Sequence, residues 1–328
     1  MENQKQFSQL MAIFGTGRSG SSWLGSIVDS HPKVAYPFEP FHRLKLEPVI
    51  ARARQLLESD HLTDADLPGV YDVLLPTDSR LERPPFFHKD YATTRGKDWL
   101  RPLAQVCRPL QPLFTWLYSA RQRPPLVFKE VTMEEMMANL LAKTSMPVIY
   151  LVRHPGGVVS SSVIGQRQGV MPTGRHSVLA SLLEKHDSEL AARHVPYLDK
   201  MDFMEKEALL WRINVEKGVR AVRNHPNALL VIYERLCDDP LAAAKQVFQH
   251  FGLDFSQQTA QFIERLYQEG SSALREVGIK SYFSVVRNPA AMKDKWKQEL
   301  SADNQQRILR LVQDSAAFQW CATLGKWG

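Results

Sequence analysis

A doubly wound α/β fold with a mostly parallel sheet is what the sequence predicts, and three observations predict it. Short apolar runs recur along the chain, separated by helical patterns. One run, Val148-Ile149-Tyr150-Leu151-Val152, is apolar without alternation, as a parallel strand buried on both faces requires. The first run, Leu10–Gly15, passes straight into a Gly/Ser loop and then a helical pattern (Trp23, Leu24, Ile27, Val28). That order points backbone N–H groups and a helix N-terminus at one spot, which suits an anion.

The elements follow in chain order. Strands are expected at Leu10–Gly15, 33–36, 126–129, Val148–Val152 and 228–233, with the second lying beside the first. Thr132-Met133-Glu134-Glu135 reads as a capping box that opens a helix over 136–142. Residues 205–223 form a long amphipathic candidate. Asp239 is an N-cap before Pro240 at the first helical position, and Gly252 stands where that helix should end. Ser301 caps a last helix through Val312. Residues 42–124 carry many prolines and charges and no clear strand; residues 164–200 are polar, with Gly165, Gly169, Pro172 and Gly174 near the start. Both are expected as helical insertions over the end of the sheet where α/β proteins bind ligands. No repeat, low-complexity tract or strong linker divides residues 1–328, so they read as one elaborated domain.

Composition bounds the class. The chain has 328 residues, 41 Lys+Arg against 35 Asp+Glu, a net charge of +6, 44% hydrophobic and 23% charged residues. This excludes collagen-like, disulfide-scaffold and wholly disordered chains. Cys107, Cys237 and Cys321 are too few and too scattered for a disulfide framework or a zinc site, and read as buried free thiols in a reducing compartment. No run of about 18 apolar residues is present, so no transmembrane helix is expected. The polar stretch 1–10 has no signal-peptide core, and the cytoplasm is the expected location. Lys and Arg are spread along the chain, which fits an anionic ligand without calling for nucleic acid.

The loop Gly15-Thr16-Gly17-Arg18-Ser19-Gly20-Ser21-Ser22 has the glycine spacing of an NTPase loop, but Ser21 stands where the lysine should be. That change removes the contact to β- and γ-phosphates and argues against a nucleotide kinase or NTPase. Arg18 offers a bidentate donor instead. A second arginine, Arg153, is delivered at the end of the Val148–Val152 run, with Ser160, Ser161 and Ser162 a turn or two later. This is another anion clamp, unless Arg153 pairs with a structural carboxylate.

Arg18-Ser19-Gly20-Ser21-Ser22-Trp23-Leu24, followed by His31-Pro32 and Phe38-Glu39-Pro40, resembles the 5′-phosphosulfate loop of the sulfotransferases, closest to the carbohydrate and bacterial branches. Arg153-His154-Pro155 with Ser161 is similar to the family's 3′-phosphate motif, with His154 in place of the frequent aspartate. Arg287 and Lys293-Asp294-Lys295-Trp296-Lys297 resemble the late loop that closes over the nucleotide. Tyr233-Glu234-Arg235-Leu236 resembles a recurrent segment and reads as scaffold. The resemblance implies 3′-phosphoadenosine 5′-phosphosulfate (PAPS) as sulfuryl donor, adenosine 3′,5′-bisphosphate as product, and no metal. It assigns nucleotide binding to Arg18, Ser19, Gly20, Ser21, Ser22, Trp23, Arg153, Ser161 and Arg287.

Sulfuryl transfer needs in-line positioning, stabilised charge and a base for the acceptor. Cytosolic members use a histidine two residues after a lysine; here that stretch is Phe128-Lys129-Glu130-Val131, and valine cannot act as a base. The resemblance and the expected strand order make Glu39 the base, with His42 the second candidate and an ion pair of Glu39 to Arg18 or Arg43 the structural alternative. Arg18 stabilises the leaving phosphate, and Lys129 either touches the transferring sulfonate or forms a salt bridge. A carbohydrate or other hydroxylated small molecule is the expected acceptor, an amine the less expected one. The absent Golgi-type anchor points to a bacterial cytosolic enzyme. Phe86, Phe87, Tyr91, Trp99, Trp116 and Tyr118 suit either a core or a stacking platform, and Arg80, Arg83, Lys89, Arg95 and Lys97 either an acidic acceptor or a solvated basic face. A non-catalytic nucleotide-binding protein is the remaining alternative.

Overall fold

The computed structural model describes residues 10–75, 78–93, 96–107, 109–118, 120, 122–169, 174–269 and 292–327. Arg287 and Arg95 lie outside the described residues. The chain opens with β1 (Leu10–Gly15) and α1 (Ser21–Asp29), followed by the one-turn α2 (Pro40–Arg43), α3 (Pro48–Leu57) and α4 (Leu67–Leu74). The hairpin of α5 (Lys97–Val106) and α6 (Leu110–Tyr118) leads to β2 (Leu126–Val131), α7 (Glu134–Lys143), β3 (Val148–Val152) and α8 (Pro155–Arg167). Next come α9 (Leu179–His186), α10 (Ser188–His194), the 20-residue α11 (Phe203–Val222) and β4 (Ala228–Ile232). The chain continues through α12 (Tyr233–Asp238), α13 (Pro240–His250), α14 (Gln257–Glu269), α15 (Lys295–Glu299), α16 (Ala302–Val312) and α17 (Ala316–Gly325).

The four strands form one parallel sheet in the order β2-β1-β3-β4. Every residue of β1 and β3 is buried, which accounts for their unbroken apolar character. The pleat sorts the side chains into two cores. Leu10, Ala12, Phe14, Phe128 and Tyr150 face α3, α4, α7 and α11. Met11, Ile13, Val127, Ile149 and Leu151 face α1, α13 and α14. The doubly wound α/β fold is therefore present, with helices on both faces.

Several local expectations need correction. Residues 33–36 form no ladder beside β1. Both edges of β1 are taken by β2 and β3, and the segment lies along the free edge of β2 through single bridges, Ala35 to Leu126 and Phe38 to Lys129. Pro32 and Pro37 flank it, and a proline cannot donate to a ladder. The capping box at Thr132 is absent: Thr132 takes φ 56°, Met133 is the N-cap of α7, and no side chain caps it. A box does open α11, where Asp202 and Glu205 cap each other's backbone N–H. Asp239 and Ser301 cap α13 and α16 as expected, accepting from Ala242 N and Asn304 N. Residues 42–124 carry helices and no strand of the sheet among the described residues.

Candidate active site

Adjacent strands β1 and β3 send the chain to opposite sides, β1 toward β2 and β3 toward β4. The crevice at their carboxyl ends is where such sheets bind ligands. Both expected anion loops open there.

The first loop follows β1. Arg18 (φ 65°) and Gly20 (φ 94°) both adopt the left-handed region, which folds the loop back over the start of α1. At Gly20 a side chain is also excluded by space, because a Cβ would lie 2.4 Å from the Tyr233 ring. Gly20 is the N-cap of α1; no side chain caps the helix, and its first turn carries no acid. The N–H groups of this nine-residue helix thus keep their affinity for an anion. The hydroxyls of Thr16 and Ser19 and the indole N–H of Trp23 are buried without a hydrogen-bond partner. Buried polar atoms left unmatched are costly, so such a concentration marks a place for a ligand.

The second loop follows β3. His154 caps α8, its Nδ1 accepting from Gly156 N at 3.0 Å. A capping aspartate makes the same bond, so the histidine conserves the turn. Its ring stacks on Trp296 (centroids 4.3 Å apart) and burial pushes its pKa down to about 3, which leaves it neutral and structural. Arg153 donates to Arg18 O (3.3 Å) and Met292 O (3.2 Å) and lies over the Tyr233 ring at 4.5 Å. Its Nε has no hydrogen-bond partner. Arg18 Nε donates to Ser161 Oγ at 2.9 Å, so the first loop is tied directly to the second.

Beside the start of α1 lies a buried ion pair. Lys129, 1% exposed, contacts Glu39 and also donates to Ser22 Oγ at 3.4 Å. Lys129, rather than Arg18 or Arg43, is thus the partner of Glu39. Glu39 reaches this position because its N–H donates to Lys129 O at 2.9 Å, a bond made by the segment along β2 and not beside β1. His42 is exposed in the following turn. Lys293, Lys295 and Lys297 each pair with a nearby acid, Asp238, Glu299 and Asp294. Trp296 is instead buried against Gly156, where a Cβ would lie 2.5 Å from its ring.

Sequence reasoning missed several residues that hold this arrangement. Tyr233, read as scaffold, touches both loops, under Arg153 and against Gly20. Glu234 Oε1 accepts from His154 N at 3.0 Å. Trp211 donates to Arg153 O at 3.0 Å from α11. Glu130, buried one residue after Lys129, accepts from Phe41 N at 2.6 Å and so anchors the turn carrying Glu39. None has a local sequence signal, because each acts on a partner 58 or more positions away.

A cleft adjoins this corner, lined by Tyr36, Phe86, Phe87 and Tyr91 together with charged side chains. Of the candidate stacking residues, these phenylalanines and Tyr91 reach the cleft; Tyr118 is core, and Trp99 and Trp116 are exposed on α5 and α6.

Comparison with known proteins agrees with these motifs. The sulfotransferase domain family matches residues 10–317, and the chain belongs to that family. It is 24% identical over 323 residues to carbohydrate sulfotransferase 1 of Danio rerio, covering 89% of this chain and 72% of that one. It is 25% identical over 356 residues to carbohydrate sulfotransferase 2 of Homo sapiens, covering 97% and 65%. Among solved structures it is similar to the sulfotransferase domain from the Synechococcus PCC 7002 olefin synthase (19% identity, TM-score 0.47, 92% of each chain). It is also similar to mouse sulfotransferase SULT7A1 complexed with PAP (13% identity, TM-score 0.46, 98% and 90%). The protein is a transferase of sulfuryl groups. Among the described residues no helix is long and apolar enough to cross a membrane.

Proposed function

We propose that this sulfotransferase takes its sulfuryl group from PAPS and moves it to a hydroxyl of a carbohydrate, with Glu39 as general base. The observation that carries the reading is the link between the two anion loops, Arg18 Nε to Ser161 Oγ and Arg153 to Arg18 O. A ligand with phosphates at both ends of one nucleoside needs two clamps side by side, whereas an ordinary adenine nucleotide needs one. The unpartnered Thr16 and Ser19 hydroxyls, the uncapped α1 and the free Nε of Arg153 fit such a ligand.

The roles follow from chemistry. PAPS supplies an activated sulfuryl group on a phosphate leaving group. Ser19 to Trp23 and the α1 N-terminus hold the 5′ end, and Arg18 neutralises the charge that builds there. Arg153 and Ser161 hold the 3′-phosphate. Lys129, between Ser22 and Glu39, holds the transferring group in line and orients the Glu39 carboxylate. Glu39 then takes the proton of the acceptor hydroxyl as the new S–O bond forms. The relatives' names support a glycan acceptor, and the helices of 42–124 that wall the cleft support that segment as its binding wall. Residues 1–328 then act as one catalytic unit. Cys237 and Cys321 are buried and Cys107, against expectation, is exposed; none of them forms a disulfide among the described residues, which supports a reducing compartment, the cytoplasm, as its place of work.

Isothermal titration tests the nucleotide reading. Adenosine 3′,5′-bisphosphate should bind more tightly than 5′-AMP or ATP, and Arg153→Ala should weaken it about 10- to 100-fold. Equal binding of all three nucleotides would overturn it. With PAPS and an acceptor, Glu39→Gln should lower kcat about 10²–10⁴-fold and spare bisphosphate affinity. Undiminished turnover would assign the base elsewhere.

A further inference from the structure

The cations around the Phe38–Glu39 corner divide into two groups. Most are neutralised from within. Lys89 pairs with Asp29 at 2.8 Å and also donates to the carbonyls of His31 and Val34. Lys97 and Arg101 share Glu82 at 2.8 and 2.6 Å. Arg80 lies between Glu47 and Asp78, both at 2.8 Å. Arg43 and Arg83 differ: among the described residues neither forms an ion pair with a carboxylate. Both lie over the ring of Phe38, at 5.6 and 5.3 Å from its centroid. Phe38 is the residue before Glu39, and Lys129 lies over the same ring at 4.6 Å. Arg43 is fixed by donating to Arg80 O at 3.0 Å. Arg83 is exposed, lines the aromatic cleft, and feels Glu39 as its charged neighbour.

Resting on the proposed function, we infer that the acceptor is an anionic saccharide, and that Arg83, with Arg43 beside it, binds its carboxylate or sulfate ester while the hydroxyl to be sulfated faces Glu39. A guanidinium fork matches either group in bidentate fashion. The Phe38 ring holds both forks in place, so little side-chain freedom is lost on binding. Tyr36, Phe86 and Tyr91 line the cleft beside them as an apolar wall for the sugar rings. Partnered arginines would not serve, since an ion pair already made must first be broken. Arginines that form no ion pair among the described residues, beside the proposed base, place the anion close to the reacting hydroxyl.

The test uses the full chain loaded with adenosine 3′,5′-bisphosphate and two matched probes. One is a tetrasaccharide of alternating glucuronate and N-acetylglucosamine; the other is the same compound with its carboxylates reduced to alcohols. Isothermal titration should show at least about tenfold tighter binding of the charged probe. Arg83→Gln should abolish that preference, Arg83→Lys should restore part of it, and neither should change bisphosphate affinity, which also reports that each variant is folded. Equal binding of the two probes, binding of neither, or a preference that survives Arg83→Gln would overturn the inference. Failure of the bisphosphate to bind wild type in the loading step would instead reject the nucleotide reading on which it rests.

Discussion

Glu130 shows how a single carboxyl shapes the corner without entering the chemistry. Burial, followed by the nearby charge of Glu39, pushes its pKa up to about 8. The folded state therefore holds a proton that the unfolded chain, with a pKa of 4.5, releases between these values. The stability this group contributes is complete below 4.5 and is lost as pH rises through 8. Glu130→Gln keeps the acceptor for Phe41 N and cannot ionise. Its urea midpoint, relative to wild type, should rise steadily between pH 5 and pH 8, and a constant difference would mean that Glu130 is ionised in the fold. Residue-scale chemistry was legible where a side chain acts on its own neighbourhood. Arg18, Ser19 and Arg153 stand out because loops after strands need them. Glu130, Tyr233 and Trp211 did not, because their partners lie 89, 213 and 58 positions away, at Phe41, Gly20 and Arg153.

At the scale of elements, runs and caps were readable and pairings were not. The boundaries of β1 and β3 follow from apolar runs alone, and Asp239 and Ser301 from capping chemistry. The segment 33–36 misled because an extended, half-apolar stretch looks alike whether it joins a ladder or only skirts an edge. Thr132 misled because a left-handed residue ends β2 before any cap forms. Helix α15 is the element whose importance is least visible in sequence. It is latched to the second loop by the Trp296–His154 stack and by Ser160 Oγ donating to Glu299 Oε2 at 2.5 Å. Trp296→Ala should lower stability by about 3–5 kcal/mol. It should also weaken adenosine 3′,5′-bisphosphate binding, although Trp296 is not among the residues assigned to hold it. Unchanged bisphosphate affinity in a folded variant would show that the latch does not position Arg153.

On the scale of the molecule, the sheet order brings the ends of β1 and β3 together, and the first core and the second core fix them from opposite sides. The doubly wound class was evident from strands alternating with helices, whereas the order of the strands was not, because parallel registers leave no local mark. Beneath Arg153 the chain gathers aromatic rings from α11, α15, α17, the second loop and Trp327. His154 lies against Trp296 and, at 5.0 Å, Trp327; Trp327 in turn lies 6.4 Å from Trp211 and 5.6 Å from Phe318. Indoles held so close in a fixed, chiral arrangement couple their electronic transitions. The protein thus carries its own optical gauge of the second loop: a near-ultraviolet circular dichroism band that follows its geometry, with no label added.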